Sequence, residues 1–237
     1  MKVKTGVSRP MNPKMIVKVV VDIGMTVFLM LLMAFELIGR TAHEWIGAGI
    51  FILFIIHHIL NWKWTRNLFC GKYSHFRMLQ TVCVLLIFIT MLGSMISAML
   101  ISRQVFAFLP ISGGRSFGRA LHMLCAYWGL VFLSFHLGIH WNIMMGMAAR
   151  LCQGTSRVRA LLLRILGLAV AVYGAYAFVK RSIPSYLFLR TQFVFFDYEE
   201  PLVFFFLDYL AIMGLFVFIG HFLAAGARRI GKKKARI

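Results

Sequence analysis

Eight histidines are the residues of this chain best suited to hold a metal or move a proton, and six fall on two apolar stretches. His43, His57 and His58 lie on the earlier stretch, and His122, His136 and His140 on the later. His43 and His57 are 14 residues apart, and so are His122 and His136. Along a helix 14 residues turn through about 1,400°, about 40° short of four full turns, and rise about 21 Å. Each stretch, as a helix, therefore shows two imidazoles on one face, one near each end. Set side by side, two such helices form two facing pairs. Facing neutral imidazoles are what a low-spin haem iron takes above and below its ring. A lone intramembrane histidine reads as an interhelical hydrogen bond, but polar groups in spans are costly and tend to be functional. Four in register point to two haems, with His43, His57, His122 and His136 as iron ligands.

The register leaves alternatives. His58 lies 15 residues from His43, and His140 lies 18 from His122. Ligation by that second couple would put the ligands at unequal depths, about 22 and about 27 Å by helical rise, so equal depth favours His57 with His136. His140, one turn beyond His136, is placed either to hydrogen-bond a haem propionate or to sit at the membrane interface. His75 and His221 read as solvated. Propionates need cations, and Arg40, Arg103, Arg115 and Arg119 are available at one end, Lys63 and Arg66 at the other; Arg115 and Arg119 are the preferred partners. Gly47, Gly49, Gly93, Gly129 and Gly138 would let backbone approach a flat macrocycle, although glycine also serves ordinary membrane-helix packing.

The elements that carry these residues follow from composition. Of 237 residues 61% are hydrophobic, with only 7 carboxylates against 26 Lys plus Arg, and the mean hydropathy is +0.83. Those proportions exclude a soluble enzyme and a disordered tail protein. Six apolar runs, at about 16–38, 43–62, 79–101, 120–142, 160–179 and 202–222, are each long enough to cross a bilayer core as helix. The expectation is an all-α integral membrane protein, one domain over 1–237. Its haem-binding four-helix part covers about 15–150, with two further helices over about 151–237. The first run is too long for a signal-peptide core and reads as a retained helix. Between runs, 19 of the 26 cations fall on one side. By the positive-inside rule that side, with both termini, is cytoplasmic, and its charge meets anionic lipid. The net charge of +19 therefore sets topology and implies no nucleic acid. The four cysteines show no C-x-x-C and no C-x-x-C-H, which argues against a disulfide framework, a zinc knuckle and covalently attached haem.

Two further features stand on the outer side. Residues 183–200, rich in aromatics and ending in Asp197, Glu199 and Glu200, read as an amphipathic segment in the interface. Six of the 7 acids, all but Asp22, share that side with 7 cations, a mixed face on which a partner can dock. A carboxylate there can accept protons released by quinol oxidation. Asp208 and Asp22, each inside a run, are expected to pair with a nearby cation or hydroxyl.

The two His-x13-His helices resemble the haem-bearing half of respiratory b cytochromes. More closely, TAHEWIGAGIFILFIIHHILNWKW and ALHMLCAYWGLVFLSFHLGIHWNIMMG, with the later SYLFLRTQFVFFDYEE and FFFLDYLAIMGLFVFIG, resemble the bacterial flavinylation-associated cytochrome family over about 15–222. The resemblance implies a multi-pass cytochrome of the bacterial plasma membrane with two haem b groups. Electrons would pass from the quinone pool, with menaquinone as substrate, to an extracytoplasmic flavin-carrying protein. The family's haem-binding histidines carry over to His43, His57, His122 and His136. Ferric-reductase-like proteins place theirs on the third and fifth helices, where this chain has none. Competing classes are a histidine-lined metal or proton transporter, disfavoured by the lack of an inverted repeat and of broken helices, and a haem-bearing membrane anchor subunit of an oxidoreductase complex.

Overall fold

Helix formation begins where the sequence supplies a cap. The Asn12 side chain accepts from the Lys14 amide, and Pro13 occupies the first helical position, where its missing N–H is no loss. The computed structural model describes residues 12–68, 70–111, 113–151 and 156–234. Lys2, Lys4, Arg9, Cys152, Gly154 and Arg236 lie outside the described residues. Among the described residues the secondary structure is helical: α1 (Pro13–Met33), α2 (Phe35–Leu60), α3 (Trp62–Arg66), α4 (His75–Ile101), α5 (Arg115–Ile139), α6 (Trp141–Leu151), α7 (Arg157–Lys180), α8 (Ile183–Leu187) and α9 (Leu202–Lys234). Six of these, α1, α2, α4, α5, α7 and α9, are long and apolar enough to cross a membrane. They coincide with the six runs expected of a multi-pass membrane protein.

Three boundaries differ from the sequence expectation. The fourth run divides at His140, which caps α5 before α6 begins. The sixth run continues well past 222, because the basic tail is helical to Lys234. The expected interfacial segment 183–200 is irregular over most of its length. Only Ile183–Leu187 is helical, and a left-handed Leu189 (φ 50°) turns the chain immediately after it. Ile183, Tyr186 and Leu187 are buried against the bundle, while Phe193 and Phe195 are about 80% exposed. The aromatic content is thus split between an anchor in the core and an exposed row.

Packing is unequal. Helix α5 lies against α4 and α9, and α9 lies against α7. Small residues permit both crossings: a Cβ at Gly138 would collide with the Val217 carbonyl of α9, and one at Gly174 with the Ala211 carbonyl. Helices α1 and α2 form a hairpin that meets the other four less extensively, α2 on α4, α1 on α9 and His43 of α2 against His122 of α5, with Met30 and Ala34 reaching the main core. Its turn depends on Gly39, whose φ of 74° is left-handed although the space around it is open; the demand there is on backbone conformation alone. Phe28 of α1 sits over Gly49 of α2, and Phe54 joins Cys83, Ile87 and Ile139 in a small core between hairpin and bundle.

These contacts separate two kinds of glycine. Gly138→Val sets a branched side chain against fixed backbone, and is expected to cost more than the roughly 1–3 kcal/mol of ordinary overpacking. Gly146→Ala, where nothing lies within 4 Å, should be neutral. Size-exclusion monodispersity and thermal unfolding in detergent check both.

Candidate functional site

The two helices that carry the paired histidines reach each other across the edge between hairpin and bundle. At one end, His43 follows the Gly39 kink by four residues and faces His122 of α5, with ring centroids 5.9 Å apart and planes at 68°. A metal–nitrogen distance of about 2.0 Å on each side, with about 1.1 Å from nitrogen to ring centre, would set two imidazoles sharing one ion about 6.2 Å apart. The observed spacing is close to that. His122 Nδ1 lies 3.2 Å from the Ser94 carbonyl and 3.1 Å from Ser97 Oγ. A carbonyl can only accept, so Nδ1 carries the proton and Nε2 keeps the lone pair. His43 Nδ1 is buried without a hydrogen-bond partner. The Leu32 backbone is nearby but outside hydrogen-bond geometry, and Phe35 is edge-on at 5.1 Å.

At the other end the arrangement is a cluster rather than a closed pair. His57 meets His58 (5.8 Å) and His136 meets His140 (4.7 Å). His57 and His58 are both near enough to His136 to interact with it electrostatically. His57 Nδ1 is 2.7 Å from Asp22 Oδ1 on α1, and its Nε2 is 3.4 Å from the Asn61 amide. His136 Nδ1 is buried and unpartnered. His140 Nε2 is 3.5 Å from the Gln80 amide nitrogen, and His58 is held edge-on by Phe54 at 4.5 Å. One pattern therefore recurs at both ends. Each end holds one imidazole whose tautomer is set by a polar neighbour, His122 or His57. Each also holds one whose buried nitrogen has no protein partner, His43 or His136. Buried polar atoms in native folds are normally satisfied, so these two nitrogens fit an additional group at each end. Both atoms are Nδ1; a metal held on Nε2 would leave each Nδ1–H still in need of an acceptor, so a neutral imidazole's capacity to hold a haem iron here rests on Nε2.

Other sequence candidates fall in different places. Arg115 and Arg119 are exposed on the first turns of α5. Arg115 and Arg103 line a cleft of about 260 Å³ beneath the loop after α4. Lys63 and Arg66 lie on α3, away from the cluster contacts just described; the cations brought to it are Lys18 and Arg228. Lys18 donates to Asn61 Oδ1 at 2.8 Å. Arg228 donates to the Ile139 carbonyl at 3.3 Å and stacks over Phe76. Lys18 stands one helical turn from Asp22, a signal visible in sequence; Arg228 has no such signal. The glycines serve helix packing. A Cβ at Gly49 would reach Phe28 at 2.7 Å and one at Gly93 the Cys125 sulfur at 2.5 Å, while Gly47 and Gly129 make only ordinary contacts. His75 is exposed, as expected, whereas His221 is half-buried.

Several acids besides Asp22 are also engaged. The Glu44 carboxylate accepts from Ser102 Oγ (2.7 Å) and from the amides of Arg103, Gln104 and Val105 (2.8–3.1 Å). Asp208 is fully buried, taking Tyr173 Oη at 2.5 Å, Lys180 Nζ at 2.9 Å and Arg181 Nε at 2.7 Å; Glu200 pairs with the same two cations. Burial opposes the Arg181 charge, yet its hydrogen bonds to Glu200 and Asp208 prevail and raise its pKa. Glu36 accepts from Tyr198 and raises that phenol's pKa.

Fold and site together define a helical bundle of membrane-spanning character, with a histidine group at each end of one helix pair. Compared with known protein families, curated proteins and solved structures, the chain matches none.

The Asp208 network makes a distinction that thermal unfolding in detergent can read. Asp208→Ala leaves Lys180 and Arg181 with Glu200 alone and Tyr173 Oη without its acceptor, and should cost about 1–3 kcal/mol. Lys180→Gln, at a side chain 36% exposed, should cost about 1 kcal/mol or less.

Proposed function

We propose that this chain is a di-haem b-type cytochrome that carries electrons through a bacterial plasma membrane, from the quinone pool to an extracytoplasmic flavin-carrying protein. The observation that supports the reading best is the 5.9 Å approach of His43 to His122, with the His122 tautomer set by Ser94; a second histidine lies 14 residues further along each helix. His43 and His122 would hold one haem, and His57 and His136 the other. Bound haem iron supplies one-electron redox chemistry; the protein's part is orientation, burial and tuning.

In this reading the Ser94 carbonyl and the Asp22 carboxylate hold the proton of His122 and His57 on Nδ1 and leave the Nε2 lone pair to the metal, which at His57 would take the place of the Asn61 amide. His140, joined to Gln80 and beside His136, is placed to donate to a propionate, as are Lys18 and Arg228 at the same end. Arg115 and Arg119 serve the opposite end. Nineteen of the 26 cations orient the His57 end towards the cytoplasm and its anionic lipid. The His43 end then faces outward, towards the flavin-carrying partner, across a face of mixed charge. Oxidation of menaquinol at this protein requires the quinol to reach one haem from the membrane plane.

The purified protein is expected to show a b-type spectrum on dithionite reduction and two haems per chain by pyridine haemochrome. His43→Ala or His122→Ala should remove one, and His57→Ala or His136→Ala the other. An unchanged haem count in these variants overturns the assignment, and a colourless wild type favours a transporter.

A further inference from the structure

We infer that Asp22 is a positioning residue for the His57 centre, and that it makes this centre the lower-potential of the two, so that electrons run from the His57 end to the His43 end. The inference rests on the di-haem reading above and adds a direction to it. Asp22 sits on α1, nine residues past its start, inside a helix long and apolar enough to cross a membrane. A carboxylate there is costly unless it is paired. Its partner is His57 Nδ1 at 2.7 Å, the length of a charge-assisted hydrogen bond. The bond joins two helices of the hairpin, so the carboxylate also fixes the rotation of the ring. Asn61 completes the arrangement from one turn below. Its amide donates to the His57 carbonyl at 2.9 Å and lies 3.4 Å from His57 Nε2, a contact that a metal on Nε2 would displace, while its oxygen is taken by Lys18, so that the neighbouring cation is directed to Asn61.

The two ends differ in the partner given to the oriented imidazole. His122 donates to a neutral carbonyl and a serine oxygen; His57 donates to a carboxylate. A carboxylate behind the ring raises the basicity of the ligating nitrogen more than a carbonyl does. A more basic axial ligand favours the oxidised iron, and second-shell hydrogen bonding is one of the protein's means of setting a haem potential. The negative charge itself acts in the same sense. With all else equal, the His57 centre is then harder to reduce, and an electron placed there moves downhill to the His43–His122 centre.

The test is a potentiometric titration of the full chain in detergent, with each couple assigned by its loss in His57→Ala or His43→Ala. In the wild type the couple lost in His57→Ala is expected to have the lower midpoint. Asp22→Asn keeps a hydrogen-bond acceptor but removes the charge. It should raise that couple by at least the equivalent of a tenfold change in its reduction equilibrium, about 59 mV for one electron, and leave the other couple in place. Asp22→Glu should restore most of the shift. If Asp22→Asn instead loses one haem while the His43 couple persists and Asp22→Glu regains it, the positioning role stands. An unmoved lower couple, a shift of the His43 couple alone, or a higher midpoint at the His57 centre overturns the inference while leaving the di-haem reading intact. Absence of any haem couple in the wild type overturns the reading itself.

Discussion

Everything in the molecule is referred to the backbone contact between α5 and α9. At Gly138 and Gly220 the two helices touch without side chains between them, each glycine against a carbonyl of the other helix. Such close approach gives dispersion contacts that lipid cannot supply, which is how helices associate without a hydrophobic driving force. It also fixes the rotation of α5 about its axis, and with it the directions of His122 and His136. Helix α7 is then joined to α9 by the same device at Gly174. The result is a rigid frame carrying three of the six clustered histidines, His122, His136 and His140.

The other three, His43, His57 and His58, ride on the hairpin. Met30 and Ala34 join it to the main core and Phe54 to a smaller one. Polar contacts add to the fastening, in surroundings where hydrogen bonds meet little competition from water. Glu44 holds the loop after α4, Ser94 and Ser97 steady the ring that His43 faces, and Asp22 with Lys18 organises the opposite end inside the hairpin. The acids that lie within the helices thus have partners and roles in assembly. Glu44, which charge distribution alone would leave as a solvated acid available to a proton, is used for fastening, and Asp208 has the cations and hydroxyl expected of it.

How much of this is legible from residues alone depends on the range of the interaction. The six spans and the alignment of His43 with His57, and of His122 with His136, follow from helical periodicity, which is local. The facing of His43 and His122 follows once both helices run the same way. Which imidazoles close together at the His57 end does not follow. His57, His58, His136 and His140 differ by less than a turn in position, and a small change in helix rotation exchanges them. The link from Asp22 to His57 is equally hidden, since it depends on the hairpin register that Gly39 sets through a left-handed backbone. The division of the fourth run at His140 has no breaker residue to announce it. The aromatic 183–200 segment misleads for the opposite reason: its composition is interfacial, but Tyr186 and Leu187 have places in the core.

The grip of Glu44 on residues 102–105 has a mechanical side. Glu44 is the immediate neighbour of His43 on a helix, and a helix transmits rotation stiffly over one residue. The loop it holds leads directly into the stretch carrying Arg103 and the cleft beside Arg115. A macromolecule that pulls on this loop pulls, through four short hydrogen bonds, on the axle of the His43 ring. The loop is therefore a lever with its fulcrum at one carboxylate, and the orientation of an imidazole is what it moves.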